Sequence, residues 1–320
     1  MQRSAPRFRR HTSIFFIAAL FFLFLISLFG IGQYQSSIFF TRRWRTSIAL
    51  HTSPHIVVSF PKNSEENVLV VTLPDNALVD VPWGYGPYRM AAVWKLGELE
   101  HKPNLFPDTI SDAFSIPIQG FVGETEPKLF DTIKFIAEFK KNFPLTRLLF
   151  DSKLTNLNFL DRWLLYWRVT SASQDLLVYN AHQNARLFQD TILVDGTEVK
   201  KVLLDGLKTF LEQKFEEAEI RKQAVTVEVK NTTDISGVGQ KFANIISAAG
   251  GKVITIGNDK KTVAHCEIEV HDTSASKLLA SFLAYEYRCQ RLASSTTSGP
   301  DIIVRVGTDF GERWKNSTSY

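Results

Sequence analysis

The chain has 320 residues, of which 44% are apolar, and a formal net charge of +4. This length and composition suit two ordinary domains with buried cores, plus accessory segments. The charge is uneven, because residues 1–50 hold seven arginines and no acidic residue, which leaves 30 basic and 33 acidic residues, a net −3, in the remainder. Clustered cations supply most of the affinity for a phosphate backbone, so an acidic body disfavours nucleic-acid binding.

A long apolar segment lies near the N-terminus. No charged residue occurs from Thr12 to Thr41, and Ile14 to Ile31 is almost wholly apolar, which meets the roughly 18 to 20 residues that a membrane-spanning helix needs. Four arginines precede the segment and three follow it at a distance, so the positive-inside bias places the N-terminus in the cytoplasm. A cleaved signal peptide would carry a shorter apolar region and an A-x-A-like site. We therefore predict an uncleaved, single-pass anchor in the cell membrane with the body extracytoplasmic.

Several strands and helices are predicted in the middle of the chain. His55–Phe60 is predicted as one strand that ends at the turn Pro61–Ser64, and Asn67–Leu73 is a near-continuous β-branched run that is typical of a buried strand. The helix over Leu157–Arg168 places several apolar side chains on one face, namely Leu157, Leu160, Trp163, Leu164 and Trp167. Such a stripe usually faces a core, which is our expectation here, and the membrane interface is the alternative. Asp161 and Arg162 are expected to form a solvated pair on the outer face.

The C-terminal region alternates strands with helices. Strands are predicted at 225–229, 252–257, 264–270 and 301–306, and helices at 236–249 and 274–289. The order βαββαβ predicts a split-βαβ arrangement, with both helices on one face of a four-stranded sheet.

Three features of this region invite binding or bonding hypotheses. Gly237-Val-Gly239 lacks the third glycine of a nucleotide fingerprint, so a closely packed helix start, with weak attraction for an anion, is the better interpretation. The alternating residues of one strand face are more consistent with a solvated face than with a cation site; they are His265, Glu267, Glu269 and His271. Cys266 and Cys289, the only cysteines, are compatible with one extracytoplasmic disulfide or with two thiols, and they form no zinc motif.

The motifs of this region resemble those of a known domain. Val225–Val229 leads into Asn231-Thr-Thr233, a small-residue helix start at Ser236-Gly237 and the strand Lys252–Ile256. This series resembles the C-terminal domain of the LytR-CpsA-Psr (LCP) family of bacterial cell-envelope proteins, and Asp301–Phe310 resembles the closing strand of that domain and its Gly-x-Asp-aromatic tail. The resemblance implies an envelope location and identifies no reaction.

The first part of the body resembles, in patches, the catalytic domain of the same family. Pro74 and Asp75 stand at a Pro-Arg-Asp motif without its arginine, Arg89 falls at a lysine, and Ala91 replaces an asparagine. Asp112–Val122 is similar to the helix end and strand that follow in the family.

The family's phosphate-binding segment is missing. Active members use Arg-x-x-Arg-Gln to hold a polyprenyl pyrophosphate, a task that suits the planar arginine fork. Between residues 145 and 185 this chain has Arg147, Arg162 and Arg168 without that motif. The resemblance therefore implies an inactive domain, a pseudoenzyme. If it is active, Mg²⁺ is expected on Asp75, and phosphates on Arg89, Arg162 and Arg168.

The predicted fold class is α/β and α+β, with an N-terminal transmembrane helix, an LCP-like α/β domain and a βαββαβ split-βαβ domain. The predicted segments are a cytoplasmic basic tail (1–11), the transmembrane helix (12–34), a linker (35–52), a degenerate LCP-like domain (53–222), a LytR C-terminal-like domain (223–314) and a tail (315–320).

Three functions are compatible with this organisation. The preferred one is a membrane-anchored envelope protein without catalysis and without a cofactor. Its partners would be cell-wall polymer such as peptidoglycan, a polyprenyl-phosphate lipid or an envelope protein, and not nucleic acid. The alternative is a phosphotransferase that attaches polyprenyl-pyrophosphate-linked glycopolymers to peptidoglycan. The third, a transcriptional attenuator, is disfavoured by the acidic body and the predicted topology.

Overall fold

The computed structural model describes residues 9–62, 66–172, 175–271, 276–293 and 299–314, with the backbone alone at 9–14, 213 and 293. The helices are α1 (Arg9–Ser36), α2 (Ile38–Thr41), α3 (Met90–Leu99), α4 (Leu105–Phe114), α5 (Phe135–Asn142), α6 (Leu145–Phe150), α7 (Phe159–Ser171), α8 (Leu204–Lys214), α9 (Ala218–Gln223), α10 (Val238–Ala248), α11 (Lys277–Glu286) and α12 (Thr308–Glu312). The strands are β1 (Thr46–Ser53), β2 (His55–Phe60), β3 (Val68–Leu73), β4 (Ala77–Val81), β5 (Gly86–Arg89), β6 (Gly120–Leu129), β7 (Leu176–Tyr179), β8 (Phe188–Ile192), β9 (Glu198–Val202), β10 (Thr226–Asn231), β11 (Lys252–Asn258), β12 (Glu267–Val270), β13 (Gln290–Ala293) and β14 (Ile302–Val306). The predicted tail at 315–320 and most of the one at 1–11 lie outside the described residues.

Helix α1 contains the apolar segment. Phe15–Ser36 has a mean hydropathy of 2.6, and its side chains are exposed rather than packed in a core. By length and composition this helix can cross a membrane, and it is the one such helix in the described part of the chain. The predicted span 12–34 lies within α1.

The first domain is built on a five-stranded sheet of order β6-β1-β2-β3-β7. Alternate side chains fill cores on its two faces. Ile48 and Leu50 pack with residues of α5, α6 and α7 on one face, and Ala49 and Val57 pack with α3 and α4 on the other. A smaller sheet, β5-β4-β9-β8, packs with α4 and α8 on that second side.

Strand β1 corrects one prediction. Residues 35–52 were interpreted as a linker, but α2 and most of β1 lie there, and β1 pairs with β2 on one side and with β6 on the other. The strand can be buried although it contains polar residues, because their side chains form hydrogen bonds inside the protein. For example, Ser47 Oγ donates to Ser59 Oγ at 2.8 Å, and Thr52 Oγ1 donates to the carbonyl of Pro54 at 2.7 Å.

The second domain has the predicted βαββαβ order with one additional strand. Its sheet has the order β11-β10-β14-β12-β13, and β13 is the strand that the sequence did not predict. The split arrangement is corrected as well. Strand β10 pairs directly with β11, so no third strand separates the two strands that α10 connects. Cys266 and Cys289 form a disulfide, which decides the alternative that the sequence left open.

The two domains pack closely together. Two residues separate α9 from β10. Trp44 and Ile220, from segments assigned by sequence to the linker and the first domain, lie in the core of the second domain, and Ala248 of α10 lies in a core of the first. The predicted domain boundary at residue 222 therefore does not separate the two cores, because each core includes residues from the other side of it.

Candidate functional site

Asp75 lies two residues after the end of β3. Its Oδ2 accepts a hydrogen bond from Ser53 Oγ at 2.5 Å, and its Oδ1 lies 3.7 Å from Nε2 of His55. The carbonyl oxygen of Asp75 accepts from the amide of Ala91 at 2.9 Å, which ties this position to the start of α3. The carboxylate is partly exposed and is held between two strands and a helix.

Two histidines, which the sequence analysis did not single out, lie beside Asp75. The rings of His51 and His55 are stacked with centroids 5.2 Å apart, and His51 also stacks on Trp94 at 4.4 Å. Burial lowers the pKa of each imidazole to about 4. Both rings are therefore neutral at pH 7, and they add no positive charge beside Asp75.

The four predicted site residues do not come together. Arg89 is exposed at the end of β5, two residues before the Ala91 amide that contacts Asp75. Arg162 donates from Nε to the carbonyl of Leu157 at 2.8 Å, and Arg168 lies over the ring of Phe39 at 4.7 Å. Both arginines belong to α7, which packs against the opposite face of the sheet from α3 and α4.

Helix α7 also corrects two sequence expectations. Asp161 is 1% exposed and accepts hydrogen bonds from Ser37 Oγ and the amide of Ile38, so the predicted solvated pair with Arg162 is wrong. Trp163 and Trp167 were expected in a core, but they are exposed. The true inward stripe is the one that contains Leu165 and Val169.

The donor set at Asp75 fits Mg²⁺ in a limited way. In the described part of the chain, no three His, Cys, Asp or Glu side chains are grouped to hold a metal ion. Mg²⁺ prefers oxygen ligands and is often held by one or two carboxylates together with substrate phosphates, whereas imidazole suits softer metals. Asp75 would thus hold Mg²⁺ only jointly with a phosphate-bearing ligand.

The predicted strand face in the second domain is largely satisfied by two ion pairs and a histidine–carboxylate contact. Lys261 Nζ lies 3.0 Å from Glu267, Arg305 Nη1 lies 3.0 Å from Glu269, and His265 Nδ1 lies 2.9 Å from Asp309. These pairs occupy the carboxylates that a cation would need.

A cleft of about 520 Å³ lies between the two domains. The first domain lines it with residues of β4, α4, β9 and α8, and the second domain with residues along the length of α10 and with Trp314. Apolar side chains form much of its wall, and α10 contributes the amides of Gln240 and Asn244, of which Gln240 Nε2 donates to Asn244 Oδ1 at 3.0 Å. Its residues come from segments far apart in the sequence, which is why the sequence analysis did not find it.

Charged groups of both signs lie at the cleft. Asp112 is 2% exposed, with Oδ2 3.6 Å from Nε of Arg313, and burial raises its pKa to about 7 against the opposing effect of Arg313. Lys241 Nζ lies over the ring of Trp314 at 3.1 Å. Burial lowers the pKa of Lys241, while Asp80 and Asp112 raise it.

The C-terminal part of the chain matches a known family. Residues 224–310 match the family described as LytR cell envelope-related transcriptional attenuator. This region therefore matches a LytR C-terminal domain. None of the curated proteins compared with the chain matches it.

Solved structures show low similarity to the chain. A transcriptional regulator from Enterococcus faecalis is 11% identical, with 52% of this chain and 84% of that chain covered and a TM-score of 0.33. B. subtilis TagU is 8% identical, with 55% and 98% covered and a TM-score of 0.33. The C-terminal domain of RV0431 is 22% identical, with 26% and 71% covered and a TM-score of 0.22. The assignment of the LytR C-terminal domain rests on the family match.

The motifs of the LytR C-terminal domain have structural roles here. Asn231 Oδ1 accepts from the amide of Thr233 at 3.0 Å, and its Nδ2 donates to the carbonyl of Ile235 at 2.9 Å. A Cβ at Gly239 would lie 3.3 Å from Cβ of Asn231, so the small residue lets α10 start close to β10. The close-packing interpretation of this helix start therefore accounts for its sequence.

Proposed function

We propose that this protein is a membrane-anchored cell-envelope protein without catalysis, and that it binds a segment of wall glycan in the cleft between its two domains. The LytR C-terminal domain and the apolar α1 support the envelope location. The Cys266–Cys289 disulfide supports a body outside the cytoplasm, because disulfides persist in oxidising compartments.

The end of α1 is hydrogen-bonded to the body, which supports an anchor helix that runs directly into the folded chain. Asn158 Nδ2 donates to the carbonyl of Gln33 at 3.3 Å and to Ser36 Oγ at 3.0 Å.

The chemistry around Asp75 supports a role without catalysis. Transfer from a pyrophosphate needs cations that neutralise its charge. His51 and His55 are neutral at pH 7, and Arg162 and Arg168 are engaged elsewhere, which leaves Arg89 as the predicted cation near Asp75.

The interdomain cleft is the observation that carries the proposal. Its lining holds three lysines and three carboxylic acids, alongside apolar walls and amides; the six ionisable residues are Asp80, Asp112, Lys201, Lys208, Glu212 and Lys241. Even with Asp112 partly protonated, the lysines and carboxyl groups leave little net charge in the cleft, which favours a neutral or zwitterionic ligand over a pyrophosphate. Apolar surface with a few placed amides and carboxyls suits the faces and the hydroxyl and acetamido groups of a wall glycan.

The test is binding of soluble peptidoglycan glycan fragments to the full chain in nanodiscs. Asn244→Ala, which removes an amide from the cleft, is expected to weaken binding about 3- to 10-fold. Gln189→Ala, at an exposed amide on β8, is the matched control and leaves affinity unchanged. Absence of fragment binding, or equal affinity in the Asn244 variant, would contradict the cleft assignment.

The position of Asp75 favours one second candidate function, the glycopolymer phosphotransferase. Its Oδ1 is buried and accepts no hydrogen bond from the described residues, an unsatisfied position that a Mg²⁺ ion shared with a pyrophosphate would occupy. A short-chain polyprenyl pyrophosphate, incubated with Mg²⁺ and the same nanodiscs, tests this function. Turnover that is lost in Asp75→Ala and Arg89→Ala would establish the transferase and overturn the role without catalysis.

A further inference from the structure

Helix α7 exposes a row of aromatic side chains. Phe159, Trp163 and Trp167 follow one another at four-residue intervals and are 42%, 44% and 60% exposed. The rings of the two tryptophans are stacked at 6.3 Å, and Phe150, 78% exposed, lies 6.3 Å from Phe159. We call these four residues the aromatic face. Exposed apolar patches of this kind mark interaction sites.

The aromatic face is joined to the end of the apolar helix. Asn158, immediately before α7, bonds to the last turn of α1 through Gln33 and Ser36. One turn into α7, the buried carboxylate of Asp161 accepts from Ser37 Oγ at 2.5 Å and from the amide of Ile38 at 3.1 Å. Only Ser37 separates α1 from α2. The point where α1 leaves a bilayer and the start of the aromatic face therefore belong to one hydrogen-bonded unit.

The composition of this unit suits the boundary between lipid headgroups and acyl chains. Tryptophan and tyrosine are enriched at that depth, where an apolar ring meets polar surroundings. Tyr34 of α1 and Phe40 of α2 are also exposed, with ring centroids 4.9 Å apart, and they extend the apolar surface from α1 towards the body. The only acidic residue of α7, Asp161, is buried, so the helix presents no carboxylate to the lipid.

We propose that the aromatic face rests in the interface of the bilayer that α1 crosses, so that the body lies against the membrane along α7. The occupant of this surface is the outer leaflet of that bilayer, because the surface is continuous with the end of the spanning helix. The inference rests on the anchoring role proposed for α1.

Tryptophan quenching by labelled lipid tests the proposal on the full chain in phosphatidylcholine vesicles. A nitroxide on a shallow acyl-chain position quenches rings at the interface. We expect the quenched emission to fall at least twofold in the double variant Trp163→Leu/Trp167→Leu. Trp83→Leu is the matched control, since Trp83 is 45% exposed in the turn between β4 and β5; the control keeps the full quenched amplitude.

Further measurements separate the possible outcomes. Phe150→Asp places a charge on the aromatic face without touching a core, and it is expected to lower the quenching of Trp163 and Trp167. Equal quenched amplitude in the wild type and the double variant overturns the proposal. The proposal also fails if Trp163 and Trp167 become accessible to a water-soluble quencher when the protein is diluted in lipid, because a second copy of the chain then covers them. If alkaline carbonate extracts the wild-type chain from the vesicles, the anchoring role itself fails, a result distinct from an anchored chain whose Trp163 and Trp167 stay unquenched.

Discussion

At the scale of a single residue, burial changes the pKa of Asp112 at the cleft. Asp112 lies on α4, where its Oδ2 is 3.6 Å from Arg313, and Arg313 also lies 3.4 Å from Asp108. Burial raises the pKa of Asp112 to about 7. The folded protein therefore holds a proton on this carboxyl at a pH where the unfolded chain has lost it.

This proton makes stability depend on pH. Because the folded pKa is raised, the contribution of Asp112 is fully present below about pH 4 and is lost as pH rises through about 7. Asn at position 112 cannot titrate. The thermal unfolding midpoint of Asp112→Asn minus that of the wild type is therefore expected to be a few degrees larger at pH 8 than at pH 5. Asp190→Asn, at an exposed carboxylate, is the control.

Other groups do not obscure the comparison. His51 and His55 have folded pKa values of about 4, so their contribution acts in the opposite direction and is lost as pH falls from 6.5 towards 4. They are present in wild type and variant alike. An identical pH dependence of the two unfolding midpoints would show that Asp112 titrates normally.

Arg162 is expected to be a structural residue. It donates to the carbonyls of Leu157 and Leu149 at 2.8 and 3.1 Å, so Arg162→Ala leaves both without this donor. We expect the free energy of unfolding to fall by about 1 to 3 kcal/mol in urea denaturation, with the exposed Arg43→Ala as control. Unchanged stability together with weaker polyprenyl pyrophosphate binding would instead return Arg162 to a ligand site.

At the scale of elements, the sequence predicted those strands and helices whose own residues show a clear hydrophobic period. The βαββαβ order was predicted because its strands and helices alternate with clear periods of two and 3.6. Strand β1 was missed because Ser47 and Thr52 look like linker residues until tertiary hydrogen bonds satisfy them. Strand β13 was missed because four residues at a sheet edge carry little pattern. The inward stripe of α7 was misassigned because two apolar faces compete on that helix, and only packing selects one.

The disulfide ties two of these elements together. Cys266 precedes β12 and Cys289 precedes β13, and the amide of Gln290 donates to the carbonyl of Cys266 at 2.7 Å. Closing a loop of 23 residues is expected to contribute roughly 3 kcal/mol. The double variant Cys266→Ala/Cys289→Ala should lose about that stability and show faster amide exchange in β13. A reducing agent should destabilise the wild type and leave the double variant unaffected; free thiols in the native protein would contradict the bridge.

At the scale of the whole molecule, the two domains share one interface rather than a flexible hinge. Glu286, at the end of α11, accepts from Trp44 Nε1 at 2.6 Å and from Gln119 Nε2 at 3.4 Å, and it forms an ion pair with Arg42. The cleft depends on this interface, since each domain supplies one wall. Sequence could not predict the cleft, because the burial of Asp112 and the approach of α10 to α8 are products of domain docking.

Glu286 tests whether the domains unfold together. In the wild type we expect a single calorimetric transition, and in Glu286→Ala a lower first transition that separates from the second, because the truncated side chain leaves Arg42 and Trp44 without their acceptor. Glu219→Ala, at an exposed position on α9, is expected to keep the single transition. Two transitions already present in the wild type would show that the domains are independent.

The single residue between α1 and α2 has a consequence for where the protein can act. With Ser37 as the only spacer and Asp161 fastening both sides of it, an anchored body has almost no tether. It cannot explore the depth of the envelope, and its cleft samples a thin layer at a constant height above the lipid. Polymer chains that are still attached to the membrane would meet the cleft at high local concentration, whereas mature strands farther out would stay beyond its reach. Distance alone would then select newly made polymer over old.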